Sequence, residues 1–247
     1  MRWTKTLSNA KRKELADQVK FHRRMQVAFP NKTYTAFRNL AELGRQGTKL
    51  KKMILEMTAK KKRPLRVLDA GAGMLGVSGD LKKLFKDKIH ITSVTLKHPN
   101  ISVKTKRKML NDTSANVDFV RQIGVFPERM KKSEEDIKKR LTKYHSRLID
   151  RGRRYSALVD EVKIGLIENQ SEKAKYDLVM DFSGAISYSD QEKRVLQLLN
   201  KNLSKGGVLV LGGVIGAPSS LITKEFEVID SPALNGKTNN FWVLRKK

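Results

Sequence analysis

Leu68-Asp69-Ala70-Gly71-Ala72-Gly73-Met74-Leu75-Gly76 is the stretch whose reading decides the fold. It continues Leu65-Arg66-Val67, so an apolar run of strand length ends in an acid and a glycine-rich turn. Residues 77–87 follow with a helical pattern, placing Leu81, Leu84 and Phe85 on one face. Glycines in such a turn let backbone come close to a ligand, and a helix N-terminus behind it receives an anionic group such as a carboxylate. Gly71-x-Gly73-x-x-Gly76 on its own satisfies a dinucleotide fingerprint. A purely structural turn satisfies it equally well.

Outward from the turn, strand and helix signals alternate, which predicts a parallel sheet. Ile89–Leu96 is β-branched and strand-like, Val162–Ile167 is a third strand and Tyr176–Asp181 a fourth. Gln191–Leu203 reads as a helix with Val195, Leu196, Leu199 and Leu203 inward. Lys205-Gly206-Gly207 then turns into a fifth strand, Val208–Leu211, and Phe226–Ile229 and Asn240–Leu244 complete the set. Between Lys97 and Glu161 the strand signal is confined to Val117–Val120. Ile137, Leu141, Tyr144 and Leu148 form a helical stripe there, flanked by Lys and Arg.

Three further segments narrow the reading. Val67–Gly73 resembles the first motif of class I S-adenosylmethionine-dependent methyltransferases, with Asp69 closing the strand before the glycines. Lys175–Asp181 resembles their fourth-strand motif, and Leu203-Ser204-Lys205-Gly206-Gly207-Val208-Leu209-Val210 their entry to strand five. Asn239–Leu244 resembles their last strand, which inserts antiparallel beside the preceding one. The resemblance covers about 61–96 and 162–247, in the family's order.

It implies an α/β fold: a seven-stranded, mostly parallel sheet with flanking helices and S-adenosylmethionine over the C-terminal strand ends. The expected organisation is a basic helical extension over 1–60 and a cofactor-binding domain over 61–247. A helical insertion over about 100–160 lies between strands two and three. By position, Asp69, Ala70, Gly71 and Gly73 would shape the methionine pocket. Glu168 and Asn169 would sit near the adenine, and Asp181 and Phe182 would face the methyl group and its acceptor. Gly76 has no ligand role in that motif and starts the helix. One departure stands out. The family's acidic ribose ligand at the end of strand two is missing from Val94-Thr95-Leu96-Lys97-His98. Thr95 or a residue of the insertion would have to substitute. Without a substitute the cofactor would bind weakly or the domain would be a nucleic-acid-binding pseudoenzyme, and Lys97, which suits a 2′-phosphate, keeps an NADP reading open.

Composition bears on the partner. The 247 residues carry 52 Lys plus Arg against 25 Asp plus Glu, a formal charge of +27. Residues 1–66 hold 19 basic residues against four acids, an excess of 15. Such an excess calls for a polyanion, nucleic acid before membrane surface. The expected partner is RNA (ribosomal or transfer RNA), held by basic N-terminal helices through Lys11, Arg12, Lys13, Arg23 and Arg24. A small-molecule or protein acceptor is the alternative. The segment shows helices around Leu15, Val19 and Met25, and again from Phe37 to Met57, broken near Gly44 and Gly47. No apolar run reaches membrane-span length and no signal core follows Met1, so the expected compartment is cytoplasmic.

The chain contains no Cys, which excludes disulfides, thiolate metal sites and pyrimidine C5 methylation through a thiolate adduct. His22, His90, His98 and His145 are scattered, and no metal site is expected. After strand four the chain reads Asp181-Phe182-Ser183-Gly184-Ala185-Ile186-Ser187-Tyr188, without the Pro-Pro tetrad of many amine methylases. No Lys closely follows strand five, so the Lys-Asp-Lys-Glu set of ribose methylases cannot be assembled. Asp181 and Tyr188 are the expected catalytic residues, Asp181 positioning the acceptor and Tyr188 stacking on a base or gating the site. Asp177 reads as structural.

Overall fold

The computed structural model describes residues 39–95, 134–169, 175–182, 184–186, 192–212, 222, 224–230 and 241–247. Lys11, Arg12, Lys13, Arg23, Arg24, Tyr188, Val117–Val120 and the helix expected around Leu15 lie outside these residues. The chain divides into two compact units, one of residues 1–34 with 101–150 and one of 35–100 with 151–247. In the first, the described residues are helical, the 134–150 part of a helix over Glu134–Ser156 (α3).

The second unit holds a seven-stranded sheet. Its strands are β1 (Leu65–Asp69), β2 (Ile89–Thr95), β3 (Glu161–Ile164), β4 (Tyr176–Phe182), β5 (Leu203–Gly212), β6 (Phe226–Asp230) and β7 (Phe241–Lys246). They lie in the order β3-β2-β1-β4-β5-β7-β6. The first five are mutually parallel, and β7 runs antiparallel to both β5 and β6. The seven-stranded, mostly parallel architecture and the antiparallel last strand agree with the sequence reading.

Among the described residues, the helices of this unit are α1 (Arg45–Ala59), α2 (Gly76–Phe85), the 151–156 end of α3 and α4 (Glu192–Asn202). The pleat sends alternate residues to opposite layers. Leu65 and Val67 of β1, Leu178 and Met180 of β4 and Val208 and Val210 of β5 pack with Leu50 and Ile54 of α1 and Val77 and Leu81 of α2. Leu68, Val179, Leu209 and Leu211 pack on the other face with Val195, Leu196 and Leu199 of α4. Every residue of β4 is buried, as a central strand covered on both faces requires.

Several boundaries differ from the sequence reading. The third strand stops at Ile164 because Gly165 takes φ 125°, and the chain re-forms as a 3-10 turn over Ile167–Asn169. The fifth starts at Leu203 rather than Val208: Leu203 pairs with Tyr176 ahead of a register shift. The helix after the turn ends at Phe85, where Lys86 takes φ 48° and opens a separate 3-10 turn. The N-terminal break falls at Gly44, at φ 54°, while Gly47 sits inside α1.

Candidate active site

The C-terminal ends of β1 and β4 lie side by side at the sheet centre, and the Gly turn is fastened there by backbone bonds. The Ala70 N–H donates to the Met180 carbonyl at 2.8 Å, and the Ala72 N–H to the Val94 carbonyl at 2.9 Å. Gly73 takes φ 51°, and its carbonyl accepts the Thr95 hydroxyl at 2.9 Å. Leu75 follows in the left-handed region, at φ 60°, and α2 begins at Gly76, as expected. The Thr95 hydroxyl thus ties β2 to the turn.

Asp69 is buried at the end of β1. Its carboxylate accepts the Ser78 hydroxyl of α2 at 2.5 Å, and Ser78 in turn accepts the Ser93 hydroxyl of β2 at 3.0 Å. Ser93 is also the parallel-register partner of Asp69. Burial pushes the Asp69 carboxyl up to about 7, helped by the charge of Asp181 and opposed by the bonds from Ser78 and the Gly71 N–H.

Asp181 is fully buried at the end of β4. One carboxylate oxygen accepts the Gly184 N–H at 2.8 Å, the other the Ile186 N–H at 2.7 Å, and the Ala185 N–H adds a third bond. Its carboxyl lies at about 6, raised by burial against those three bonds, with the charge of Glu168 pushing the same way. Such a carboxylate acts as a staple that folds the segment after β4 back over the strand end.

That fold-back meets the Gly turn. A Cβ on Gly71 would lie 2.3 Å from the Gly184 Cα and 3.1 Å from an Asp181 carboxylate oxygen. A Cβ on Gly184 would lie 2.5 Å from the Gly71 Cα. Gly71 is therefore required for backbone-to-backbone packing of the two loops, a role distinct from making room for a ligand.

The other expected site residues are distributed around this centre. Glu168 is half-buried on the 3-10 turn after β3, held by the core side chain Ile167, and Asn169 beside it is exposed. Phe182 puts its ring into the apolar layer beneath α1 and α2. Sequence reasoning missed Ser78, Ser93 and Gly184. An Asp followed three residues later by Gly after a strand is a local turn signal for Gly184. Ser93 needed the β1–β2 register.

Among the described residues, no group of His, Asp and Glu has the arrangement of a metal site, and no helix is long and apolar enough to cross a membrane. The strand order, the antiparallel β7 and the Gly turn between β1 and α2 now stand together. The fold is that of class I S-adenosylmethionine-dependent methyltransferases.

Comparison with solved structures returns class I methyltransferases at low identity. CalS10, an amino pentose methyltransferase from Micromonospora echinaspora, is 13% identical, with a TM-score of 0.38 over 66% of this chain and 49% of that one. The rRNA methyltransferase AviRa from Streptomyces viridochromogenes is 13% identical, with a TM-score of 0.40 over 80% and 84%. A methyltransferase from Geobacter sulfurreducens is 13% identical, with a TM-score of 0.42 over 81% and 78%. Against CalS10 the chain spans about half of the longer protein, and two further matched structures are covered over 54% and 58% of their lengths. No protein-family model and no curated protein matches the chain.

Proposed function

We propose that this chain binds S-adenosylmethionine at the β1–β4 strand ends and transfers its methyl group to RNA. The carrying observation is the sign of the charge at those ends. In a chain of net charge +27, the charges that act on the site pair among the described residues are acidic: Asp181 acts on Asp69, and Glu168 acts on Asp181. This set of carboxylates fits a ligand carrying a sulfonium and an ammonium. It repels the pyrophosphate that a dinucleotide would bring to the same turn, so the NADP reading loses support.

When bound, the cofactor supplies an electrophilic methyl group on sulfur. The chain's part is positioning. Asp69, with Ser78 and Ser93 behind it, holds α2 against β1 and presents negative charge. Asp181 holds the segment after β4 in place, and Tyr188 on its continuation is proposed to contact the acceptor. Methyl transfer asks the protein mainly for in-line alignment and a route for any acceptor proton. The basic surface of the chain supports RNA as the acceptor class.

Calorimetry with S-adenosylmethionine, S-adenosylhomocysteine and NADP tests the cofactor. S-adenosylmethionine should bind and NADP should not. Ionised carboxylates favour the sulfonium, so S-adenosylmethionine affinity should rise several-fold from pH 5 to pH 8, through the Asp181 and Asp69 transitions. Uncharged at sulfur, S-adenosylhomocysteine should respond less. NADP binding in its place would sink the assignment. Label transfer from methyl-tritiated cofactor to total RNA tests the acceptor. Cofactor binding without transfer to RNA, but with transfer to a small molecule or protein, would replace the RNA part alone.

A further inference from the structure

Along α1 and the turn that follows it the charge is reversed. Residues 45–66 carry nine Lys or Arg against one acid, Glu56, and all nine are exposed. Eight of them lie on α1 or in the turn over residues 60–63 that follows it, and the fold fixes the course of that helix. Near its start, the Lys49 ammonium bonds Asp230 at 2.7 Å. Asp230 ends β6, which runs parallel to β5, so Lys49 lies at the cofactor edge. Beyond its end, Lys61 bonds Asp177 at 2.8 Å and Arg63 grips it with two N–H groups at 2.8 and 2.9 Å. Asp177 stands at the start of β4, so this end lies at the far edge. The helix therefore crosses the sheet from edge to edge over ~22 Å, at about 1.5 Å per residue.

At the far end it meets a cavity of about 360 Å³. Lys61, Lys62, Arg63 and Lys88 supply its cations, and Leu55 and Pro64 part of its apolar lining; Asp87 is its acid. Leu55 is 56% exposed, while Leu50 and Ile54 on the reverse side of α1 are in the core. An interfacial helix presents its apolar face to lipid. This one has spent that face on the sheet and presents cations around a single exposed Leu.

We propose that the exposed face of α1, the turn over residues 60–63 and Lys88 form a track for the backbone of a nucleic-acid strand, leading from the cofactor edge to the far-edge cavity. The proposal rests on the RNA reading above and names the surface for it. The bonds of Lys61, Arg63 and the Arg66 N–H to Asp177 hold the turn in shape before any strand arrives. Lys51, Lys52, Lys60, Lys62 and Lys88 supply exposed positive charge for phosphates, and Leu55 gives a sugar or base an apolar contact.

The test uses the full chain and a fluorescent 12-nucleotide single-stranded RNA, with anisotropy read from ~50 to ~200 mM salt. Lys51, Lys52, Lys60, Lys62 and Lys88 are changed together to Gln, and in a second variant together to Arg. Loss of about four phosphate contacts should flatten the slope of log K against log salt by about 3, at roughly 0.7 per contact. The Gln variant should bind at least tenfold more weakly at low salt, and the Arg variant like wild type. The DNA version of the strand should behave alike. An unchanged slope in the Gln variant, no RNA binding by wild type at low salt, or loss confined to phosphatidylserine vesicles would overturn the track. S-adenosylhomocysteine binding, measured on the same samples, should be unaltered. Its absence in wild type would count against the cofactor assignment and leave the track result standing.

Discussion

Asp177 and Asp181 lie four residues apart on one fully buried strand, and their carboxyls move in opposite directions. Burial pushes both up. At Asp177 it is outweighed by bonds from Arg63, Lys61 and the Arg66 N–H together with the Lys61 charge, which hold the carboxyl below its usual value. At Asp181 burial is opposed by three backbone amides alone among the described residues, while Glu168 adds negative charge, so it ends at about 6. Burial alone therefore says little about what a strand aspartate does. The partner set divides β4 into a cation-pinned end that braces the basic turn and an acidic end that suits a cationic ligand.

The sharpest way to break this division is to separate the two loops at the acidic end. Gly71→Ala or Gly184→Ala places a Cβ within 2.3–2.5 Å of the opposing Cα, and backbone cannot rotate out of the way as a side chain would. Each should cost on the order of 3 kcal/mol in urea unfolding, at the upper end of ordinary overpacking. Each should also weaken S-adenosylmethionine binding more than tenfold. Wild-type stability in either variant would mean that the Gly71–Gly184 contact does not hold the site together.

This contact also marks where sequence reading ran out. The Gly turn and the strand alternation were legible, because each is encoded within a few neighbouring residues, while the antiparallel end strand followed from the resemblance of Asn239–Leu244 to the family's last strand. Asp69, Ala70, Gly71, Gly73 and Asp181 lie at or just beyond the C-terminal ends of the adjacent parallel strands β1 and β4. The mate of Gly71 was not legible, as the two glycines meet only after β1 and β4 pair across more than a hundred residues. The Thr95 hydroxyl was read as a ribose contact, and its bond to the Gly73 carbonyl depends on how the turn closes. The basic N-terminal segment was read as one extension. In the fold, Leu50 and Ile54 of α1 pack with β1 residues, because an amphipathic helix buries its apolar stripe on whichever sheet face is open.

The cation-pinned end gives a smaller effect of the opposite kind. Asp177→Asn keeps an acceptor for the Arg66 N–H but removes the charge that Lys61 and Arg63 hold. Those side chains are 34% and 52% exposed, so solvent screens much of the pair. A loss of about 1–2 kcal/mol at pH 7 is expected, with S-adenosylmethionine affinity unchanged. The pH sign follows from the depressed carboxyl. Its contribution is present above the unfolded aspartate value of about 4 and is lost as pH falls through the lower folded value. Wild type and variant should therefore converge in stability at strongly acidic pH. A cofactor-affinity loss larger than the stability loss would mean that the two ends of β4 are coupled.

Asp69→Asn should give the smallest change in stability and the clearest sign. The folded carboxyl, at about 7, lies above the unfolded value of about 4, so the native state holds a proton that the unfolded chain has released. Wild-type stability then falls as pH rises between those two values and levels off above them. Asparagine, which still offers an oxygen to the Ser78 hydroxyl, carries no such penalty. Relative to wild type, the variant should gain stability from pH 4 to pH 7, by on the order of 1 kcal/mol after structural relaxation, and nothing further by pH 8. Thermal melts at matched ionic strength across that range read the difference. The same substitution removes negative charge from the cofactor edge, so it should weaken S-adenosylmethionine binding more than S-adenosylhomocysteine binding at pH 8. A stability difference that stays flat with pH would show Asp69 ionised throughout. The acidic edge would then be solvated like any surface carboxylate, and its contrast with Asp177 would disappear.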